Sequence, residues 1–162
     1  MGASGASVWL VAPMGASAVL VFAVPSSPLA QPWAVLGGNT VSALVGIACA
    51  AWIADPVLAS AVAVSLAIAA MLQLRCLHPP GGASALLMVL TQTTAFEFAF
   101  FPVLANSLLL AAAGALYNTL TGRPYPHTQA TPPPGPQPVG SRFSGADLDA
   151  ALAGSPRFQC NK

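Results

Sequence analysis

Fixed charge is almost absent from the first 120 residues of this chain, where only Asp55, Arg75 and Glu97 carry ionisable side chains of the Asp, Glu, Lys and Arg types. Charged residues make up 6% of the sequence and hydrophobic residues 56%, whereas soluble domains carry roughly a quarter charged residues. A fold that surrounds an apolar core with a charged surface is therefore excluded. The net charge of +1, without a basic run, also excludes a nucleic-acid-binding surface.

Long apolar segments follow one another along the chain, separated by proline, glycine and polar residues. A helix needs about 20 mostly apolar residues to span a bilayer. Four segments approach or reach that length, at residues 7–24, 36–54, 57–77 and 98–120, and a shorter one covers 82–96. We therefore predict an all-α fold, a multi-pass transmembrane helical bundle of four to five apolar segments with one segment short or broken.

The composition changes at residue 125 and divides the chain into two parts. Residues 1–124 form the predicted transmembrane domain, and residues 125–162 are rich in Pro, Gly, Ser and Gln. Such a composition is typical of an extended polar linker, so we expect a disordered cytoplasmic tail. A short helical pattern begins at Ser144, with Asp147 at N-cap spacing, but such a helix is too short to be stable alone.

A helix-breaking stretch, His78-Pro79-Pro80-Gly81-Gly82, interrupts the apolar sequence between two long segments. The two prolines lack backbone donors and the two glycines loosen the chain, so one helix must end before this stretch and another begin in it. Inside a bilayer, the polar backbone groups at such a break are tolerated only where they are buried in protein or line a cavity. This motif is therefore the first candidate for a functional site.

An internal repeat includes this motif. Residues 13–20 read PMGASAVL and residues 80–87 read PGGASALL, so the pattern Pro-x-Gly-Ala-Ser-Ala-apolar-Leu occurs twice. The same register, carried forward without a gap, aligns Asn39 with Asn106 at the start of a following apolar helix.

The repeat predicts a particular geometry if the short segment 82–96 crosses the membrane. The two Gly-Ala-Ser helices then run in opposite directions, which is the inverted repeat that many secondary transporters use to build a site near the midplane. Helix N-termini expose backbone N–H groups and favour a small anion. The predicted substrate-binding residues are Gly15, Ala16, Ser17, Asn39, His78, Gly81, Gly82, Ala83, Ser84 and Asn106, with His78, Pro79 and Pro80 as the motif.

Two alternatives remain open at this site. Gly-Ala-Ser in an apolar helix is also typical of a close-packing surface between helices. His78 either hydrogen-bonds loose carbonyl groups at a helix end or acts as a group that binds protons or contacts the anion.

The sequence contains no pattern that indicates an enzyme, a metal centre or a cofactor. No nucleophile–base pair, metal-ligand cluster or phosphate-binding loop is present, so we expect no catalytic residues. The cysteines show neither CxxC spacing nor a partner histidine, and we interpret Cys49 and Cys76 as small packing residues.

The stretch LHPPGGASAL at residues 77–86 resembles the HPP family of integral membrane proteins. The stretches GASAVL at 15–20, SPLAQP at 27–32 and GGN at 37–39 resemble other characteristic parts of this family in order and spacing. Coverage is roughly residues 8–126. The resemblance implies a multi-pass helical membrane domain, found in bacteria and plastids, some of whose members have been linked to nitrite transport.

The resemblance also shapes our expectations of function and location. It implies transport of a small anion such as nitrite across a bacterial inner membrane. The expected partners are the lipid bilayer and the anion. We expect no nucleic acid as a partner, and a homo-oligomer is left open. The alternative is a non-transporting membrane anchor or sensor for a cytoplasmic regulatory module, because residues 143–152 resemble the lead-in to such a module. Family members have a further apolar segment before residue 15, so we expect a truncated member.

The positive-inside rule gives a topological prediction. If the segment 82–96 crosses the membrane, Arg75 and Arg123 lie on the same side of it; if the segment is re-entrant, they lie on opposite sides. Cytoplasmic loops favour Lys and Arg, which supports the first arrangement. A reporter fused after Arg123 should therefore be cytoplasmic, with Met1 outside. Labelling of a cysteine at position 75 with a membrane-impermeant reagent checks the prediction. Labelling from outside, with the tail inside, would contradict it and indicate a re-entrant segment 82–96.

Overall fold

A computed structural model of the chain describes residues 12–128 and 145–153, apart from the side chains of Leu148, Leu152 and Ala153. These residues form helices and connecting turns, as predicted for an all-α bundle. The α-helices are α1 (Pro13–Ala23), α2 (Pro32–Trp52), α3 (Pro56–Gln73), α4 (Pro79–Leu90), α5 (Ala105–Leu120) and α6 (Gly145–Ala153).

Two shorter helical turns complete the fold. A 3₁₀ turn, Pro28–Ala30, lies between α1 and α2, and a π-type turn, Ala99–Leu104, leads into α5. Three helical stretches are long and apolar enough to cross a membrane, namely Pro32–Trp52, Pro56–Gln73 and Ala99–Leu120. The prediction of a multi-pass transmembrane helical bundle is confirmed.

Proline begins each of the first four helices. It is tolerated there because the first turn of a helix has no intrahelical partner for its N–H groups, and the fixed φ angle suits the helix. At the start of α3, Asp55 also caps the helix by accepting a hydrogen bond from the Leu58 amide at 2.7 Å. The segment boundaries are thus set locally by the sequence.

Side-chain contacts give two parallel helix pairs. In the first pair, α2 and α4, Gly38 lies beside His78 and Gly46 lies beside Ala85. In the second pair, α1 and α5, the Ser107 hydroxyl is 3.8 Å from the sulfur of Met14, and Gly114 lies against Val21. In both pairs the residue numbers rise together along the contact, so the two helices of each pair run in the same direction.

The two pairs run in opposite directions to each other. Near the start of α2, Asn39 bonds Ser107, and further along α2 Ile47 packs in one cluster with Ala99 before α5. The first helices of the repeat, α1 and α4, belong to different pairs and so also run in opposite directions, and Ser17 of α1 contacts His78 at the start of α4. The repeated segments α1–α2 and α4–α5 are therefore inverted, as the five-crossing interpretation predicts.

The bundle is packed with small residues inside and large apolar residues outside. On α3, Ala59, Ala63 and Ala67 are buried against α2 and α4, whereas Leu66 and Leu72 are more than half exposed. Helices in a bilayer gain little from burying apolar surface against each other, so close backbone contact through small residues stabilises them instead. In a membrane, the exposed leucines would contact the lipid chains.

The two arginines lie at the same end of the bundle. Arg75 follows Leu74, whose carbonyl accepts a hydrogen bond from the Trp33 indole at the start of α2, at 3.1 Å. Arg123 donates from Nη1 to the carbonyl of Phe22 at the end of α1, at 3.2 Å. Residues 24–31 join these two positions directly. We call this the arginine end.

The carboxylates of the described bundle lie at the opposite end. Asp55 connects the far ends of α2 and α3, and Glu97 lies in the turn between α4 and the Ala99–Leu104 turn. Both side chains are exposed. Basic and acidic side chains of residues 12–128 thus lie at opposite ends of the bundle, and the position of the two arginines is what the positive-inside rule uses.

The helical unit extends past the predicted boundary at residue 124. Tyr125 is buried beside Val21 and Val35, and its hydroxyl donates to the carbonyl of Ala30 at 2.9 Å. One compact unit accordingly covers residues 1–129, and a second covers residues 130–162. In the second unit the predicted short helix is present as α6. Residues 129–144 and 154–162 of the predicted tail lie outside the described residues.

Gly46 provides a test of close helix packing. A Cβ atom at this position would collide with the backbone oxygen of Ala85, so Gly46→Ala must separate α2 from α4. We expect a loss of about 1–3 kcal/mol in unfolding free energy. Thermal unfolding of the purified protein in detergent measures the change.

Gly82→Ala is the matched control, because nothing lies within 4 Å of a Cβ atom at that position. Alanine is the better helix former, so stability should be unchanged or slightly raised. Equal losses for the two variants would show that Gly46 does not mediate a tight helix crossing.

Candidate functional site

The amide group of Asn39 is the centre of a buried hydrogen-bond network. Its Nδ2 donates to the hydroxyls of Ser17 at 3.3 Å and Ser107 at 3.4 Å. Its Oδ1 accepts a hydrogen bond from the hydroxyl of Ser84 at 3.2 Å. All four side chains have no exposed surface. One amide thus joins α1, α2, α4 and α5.

His78 extends the network and is also fully buried. Its Nδ1 lies 2.8 Å from the carbonyl oxygen of Leu29, which can only accept, so Nδ1 carries the proton. Its Nε2 lies 2.7 Å from the Ser17 hydroxyl and therefore accepts from it in the neutral ring. Both ring nitrogens are satisfied without a charge. The carbonyl contact is the one that the structural interpretation of His78 predicts.

The repeated sequence pattern places the two serines. Ser17 and Ser84 each lie four residues after a proline in the first turn, and each hydroxyl is 3.3 Å from that proline's carbonyl. The intervening Gly-Ala pair then faces away from the network. The Pro-x-Gly-Ala-Ser pattern therefore encodes a short helix with its serine on the buried side.

The outer face of the repeat is open rather than part of the network. Nothing lies within 4 Å of a Cβ atom built on Gly15 or Gly82, and Ala16 and Ala83 are exposed. The two alanines line a shallow apolar groove between α1 and α4, together with Ala12, Pro13, Leu86, Leu87 and Leu90.

The starts of α1 and α4 offer few backbone donors. Pro79 and Pro80 have no N–H, and the Gly81 amide donates to the carbonyl of His78 at 2.8 Å. In α1 the Gly15 amide donates to the carbonyl of Ala12 at 3.2 Å. The polar side chains of the network are therefore better placed than the helix N-termini to contact a ligand.

Two further predicted residues lie near the network without being shown to join it. Gly81 packs tightly, since a Cβ atom there would lie 2.8 Å from both the Gly38 oxygen and the Ser42 hydroxyl. Asn106 is half-buried on α5, next to Ser107. Sequence reasoning did not select Ser107 as a site residue, although the repeat register aligns it with Thr40. That alignment was the available signal.

No described residues form a metal site. Among residues 12–128 and 145–153 there is no group of three or more His, Cys, Asp or Glu side chains that can hold an ion. Cys49 and Cys76 are buried free thiols within helix contacts. Among the described residues, the buried polar side chains of the bundle interior are serine hydroxyls, the amides of Asn39 and Asn118, and the imidazole of His78.

This is a multi-pass helical membrane protein. Its apolar helices form two inverted pairs around a buried polar network. The chain belongs to the HPP family, because the family's transmembrane region matches residues 2–126. It is 39% identical over 128 residues to a transmembrane protein of Dictyostelium discoideum, covering 74% of this chain and 41% of that protein.

A second transmembrane protein of Dictyostelium discoideum is 39% identical over 125 residues, which cover 72% of this chain and 44% of the relative. The matched part spans less than half the length of both relatives. No solved structure matches the chain. These similarities support the membrane location and the family, in agreement with the sequence resemblance.

Ser17→Ala tests the importance of the network for the fold. The change leaves Nε2 of His78 and one N–H of Asn39 without their partner in a fully buried site. We expect the unfolding free energy to fall by about 1–3 kcal/mol. Ser60→Ala is the matched control, because Ser60 also bonds the carbonyl of a helix-starting proline, Pro56, but belongs to no network.

Thermal unfolding of both variants in the same detergent gives the comparison. Ser60→Ala should leave the midpoint close to that of the wild type. If Ser17→Ala were equally neutral, the hydrogen bonds from Ser17 to His78 and Asn39 would not stabilise the bundle.

Proposed function

We propose that this protein transports a small monovalent anion across the membrane, with nitrite as the first substrate to test. The observation that carries the proposal is the position of the Asn39 network. It lies where two inverted helix pairs meet, which is the place at which secondary transporters with inverted repeats bind their substrates.

The network hydrogen bonds cross between the two pairs. Ser17 belongs to the α1–α5 pair and contacts His78 and Asn39 of the α2–α4 pair. Ser107 also belongs to the α1–α5 pair and accepts from Asn39. Rocking of one pair against the other breaks these three contacts and leaves the polar hydrogens without protein partners.

An anion entering between the pairs would accept the hydrogen bonds that the rocking releases. The released donors are the Asn39 amide and the Ser17 hydroxyl, and Ser107 can turn its weakly held hydroxyl from Met14 towards the anion. Neutral donors bind an anion less strongly than an arginine or lysine, and a transported solute must leave as readily as it enters. Because no carboxylate belongs to the network, a cation would find only hydroxyl, amide and carbonyl oxygens there.

The chemistry of the proposed function is binding and movement without covalent steps. We therefore propose that the protein is not an enzyme. The membrane anchor or sensor remains the second candidate, and the observation that favours it is the separate C-terminal unit at residues 130–162, which contains α6. In that case the bundle would position this unit without moving a solute.

Nitrite uptake into proteoliposomes tests the transport proposal. We expect saturable uptake above that of empty liposomes at neutral pH, and a pH gradient shows whether protons are coupled to it. Ser107→Ala should lower uptake per folded protein about tenfold, the size expected for one lost hydrogen bond to a charged ligand. Uptake is expressed per folded protein because the change also leaves one N–H of Asn39 without its partner at 3.4 Å.

Ser65→Ala is the control for this variant. Ser65 is an exposed residue of α3 whose hydroxyl bonds its own helix at Ala61, so uptake should equal that of the wild type. Folded wild-type protein without uptake would contradict transport of nitrite and leave the anchor as the better account. Full uptake by Ser107→Ala would contradict the role of the network.

A further inference from the structure

A second polar feature lies at the arginine end of the bundle, where α1 ends and the chain leaves α5. It is an open cavity of about 370 Å³ within the first compact unit. The turn after α1 forms one wall, and the segment after α5 forms the other. Its lining residues are Ala23, Val24, Pro25, Ser26, Arg123, Pro124 and His127.

The side chain of Gln31 holds the two walls in a fixed relation. Its Nε2 donates to the carbonyls of Pro25 at 2.9 Å and Ser27 at 2.8 Å, on the first wall. Its Oε1 accepts from the backbone N–H of His127 at 2.8 Å, on the second wall. Tyr125 adds the buried hydrogen bond to Ala30. The cavity is therefore a built part of the fold rather than a gap between loose loops.

Arg123 brings a positive charge to this cavity. Its Nη1 donates to the carbonyl of Phe22, which uses one of the five N–H groups of the guanidinium. Within residues 12–128 the carboxylates are Asp55 and Glu97, and both lie at the other end of the bundle, so neither of them neutralises the charge here. A guanidinium matches the two oxygens of a planar oxyanion with paired hydrogen bonds.

The helix end beside the cavity does not cancel this attraction. The C-terminus of a helix carries partial negative charge on its last carbonyls. Here those carbonyls are covered by donors, because Asn118 Nδ2 donates to Val21 at 3.1 Å and Arg123 donates to Phe22. The Val24 amide likewise donates to Leu20.

We propose that this cavity binds a small oxyanion, with Arg123 as its charged ligand. Its volume exceeds that of a nitrite ion, so the anion enters with part of its water. The charge attracts anions from solution to the arginine end, and the neutral network inside the bundle binds them more weakly. The place of the cavity in a transport path rests on the proposed function, whereas binding itself does not.

An anionic lipid headgroup carries the same oxyanion chemistry and is the other source of a ligand for Arg123. The cavity favours the soluble anion because it opens at the bundle end, between the turn after α1 and the segment after α5. Measurements with the full chain in nanodiscs of zwitterionic phosphatidylcholine remove the lipid source. A second set in nanodiscs with anionic phosphatidylglycerol restores it.

Isothermal titration with sodium nitrite at constant ionic strength tests the proposal. Arg123→Gln should weaken nitrite binding in phosphatidylcholine about tenfold or more, the size expected for a lost charge-assisted hydrogen bond. Arg75→Gln is the matched control, since it removes the same charge from the same end without lining the cavity. Gln92 already adopts the φ of 52° found at Arg75, so glutamine is compatible with that backbone.

Ala23→Phe is a second variant that keeps Arg123 and fills the cavity. It should also weaken binding about tenfold, while Arg75→Gln stays within twofold of the wild type. Equal affinities for the wild type, Arg123→Gln and Ala23→Phe would overturn the proposal. So would equal weakening by Arg123→Gln and Arg75→Gln, or an effect of Arg123→Gln that appears only with phosphatidylglycerol.

The binding and uptake measurements test the cavity and the transport proposal separately, so either proposal can fail without the other. Loss of nitrite binding in Arg123→Gln supports the cavity even if the wild type transports nothing. Uptake by a protein whose cavity variants bind nitrite normally supports transport and overturns the cavity site.

Discussion

The Asn39 amide is the interaction on which the arrangement of this bundle depends. It bonds Ser17 and Ser84, the two serines of the repeat, and also Ser107 of α5. A bilayer interior offers no water to a polar group that loses its partner, so such a network is costly to break. The network therefore selects one mutual position for α1, α2, α4 and α5 among the many that apolar surfaces alone would permit.

Close packing and hydrogen bonding depend on each other here. The hydrogen bonds of Asn39 are between 3.2 and 3.4 Å long. Side chains as short as serine and asparagine can form them across helices only where the helix backbones approach closely. Gly46 against Ala85 and Gly114 against Val21 provide that approach in the two parallel pairs. Glycine and alanine inside, with leucine outside, is the composition that helix packing in lipid favours. An interior of larger side chains would separate the hydroxyls from the amide.

The polar groups at the two ends of the bundle differ from those in its interior. Charged side chains occur at the two ends, with Arg75 and Arg123 at one end and Asp55 and Glu97 at the other. The interior has hydroxyl, amide and imidazole groups, and His78 there contacts the Ser17 hydroxyl and the Leu29 carbonyl with its two ring nitrogens. This difference suits the proposed transport, because a charge attracts an anion over distance and neutral donors let it pass.

The sequence by itself determined the class of fold, the order of the apolar segments and the repeat, but placed the helix ends only to within several residues. Those features are local, because proline, glycine and apolar periodicity act over a few residues. Only the tertiary structure showed that Ser107 joins Asn39 while Gly15 and Gly82 face outward, and that Tyr125 belongs to the bundle. These facts depend on which sides of distant helices meet, and that choice is made by packing and hydrogen bonds between residues far apart in sequence.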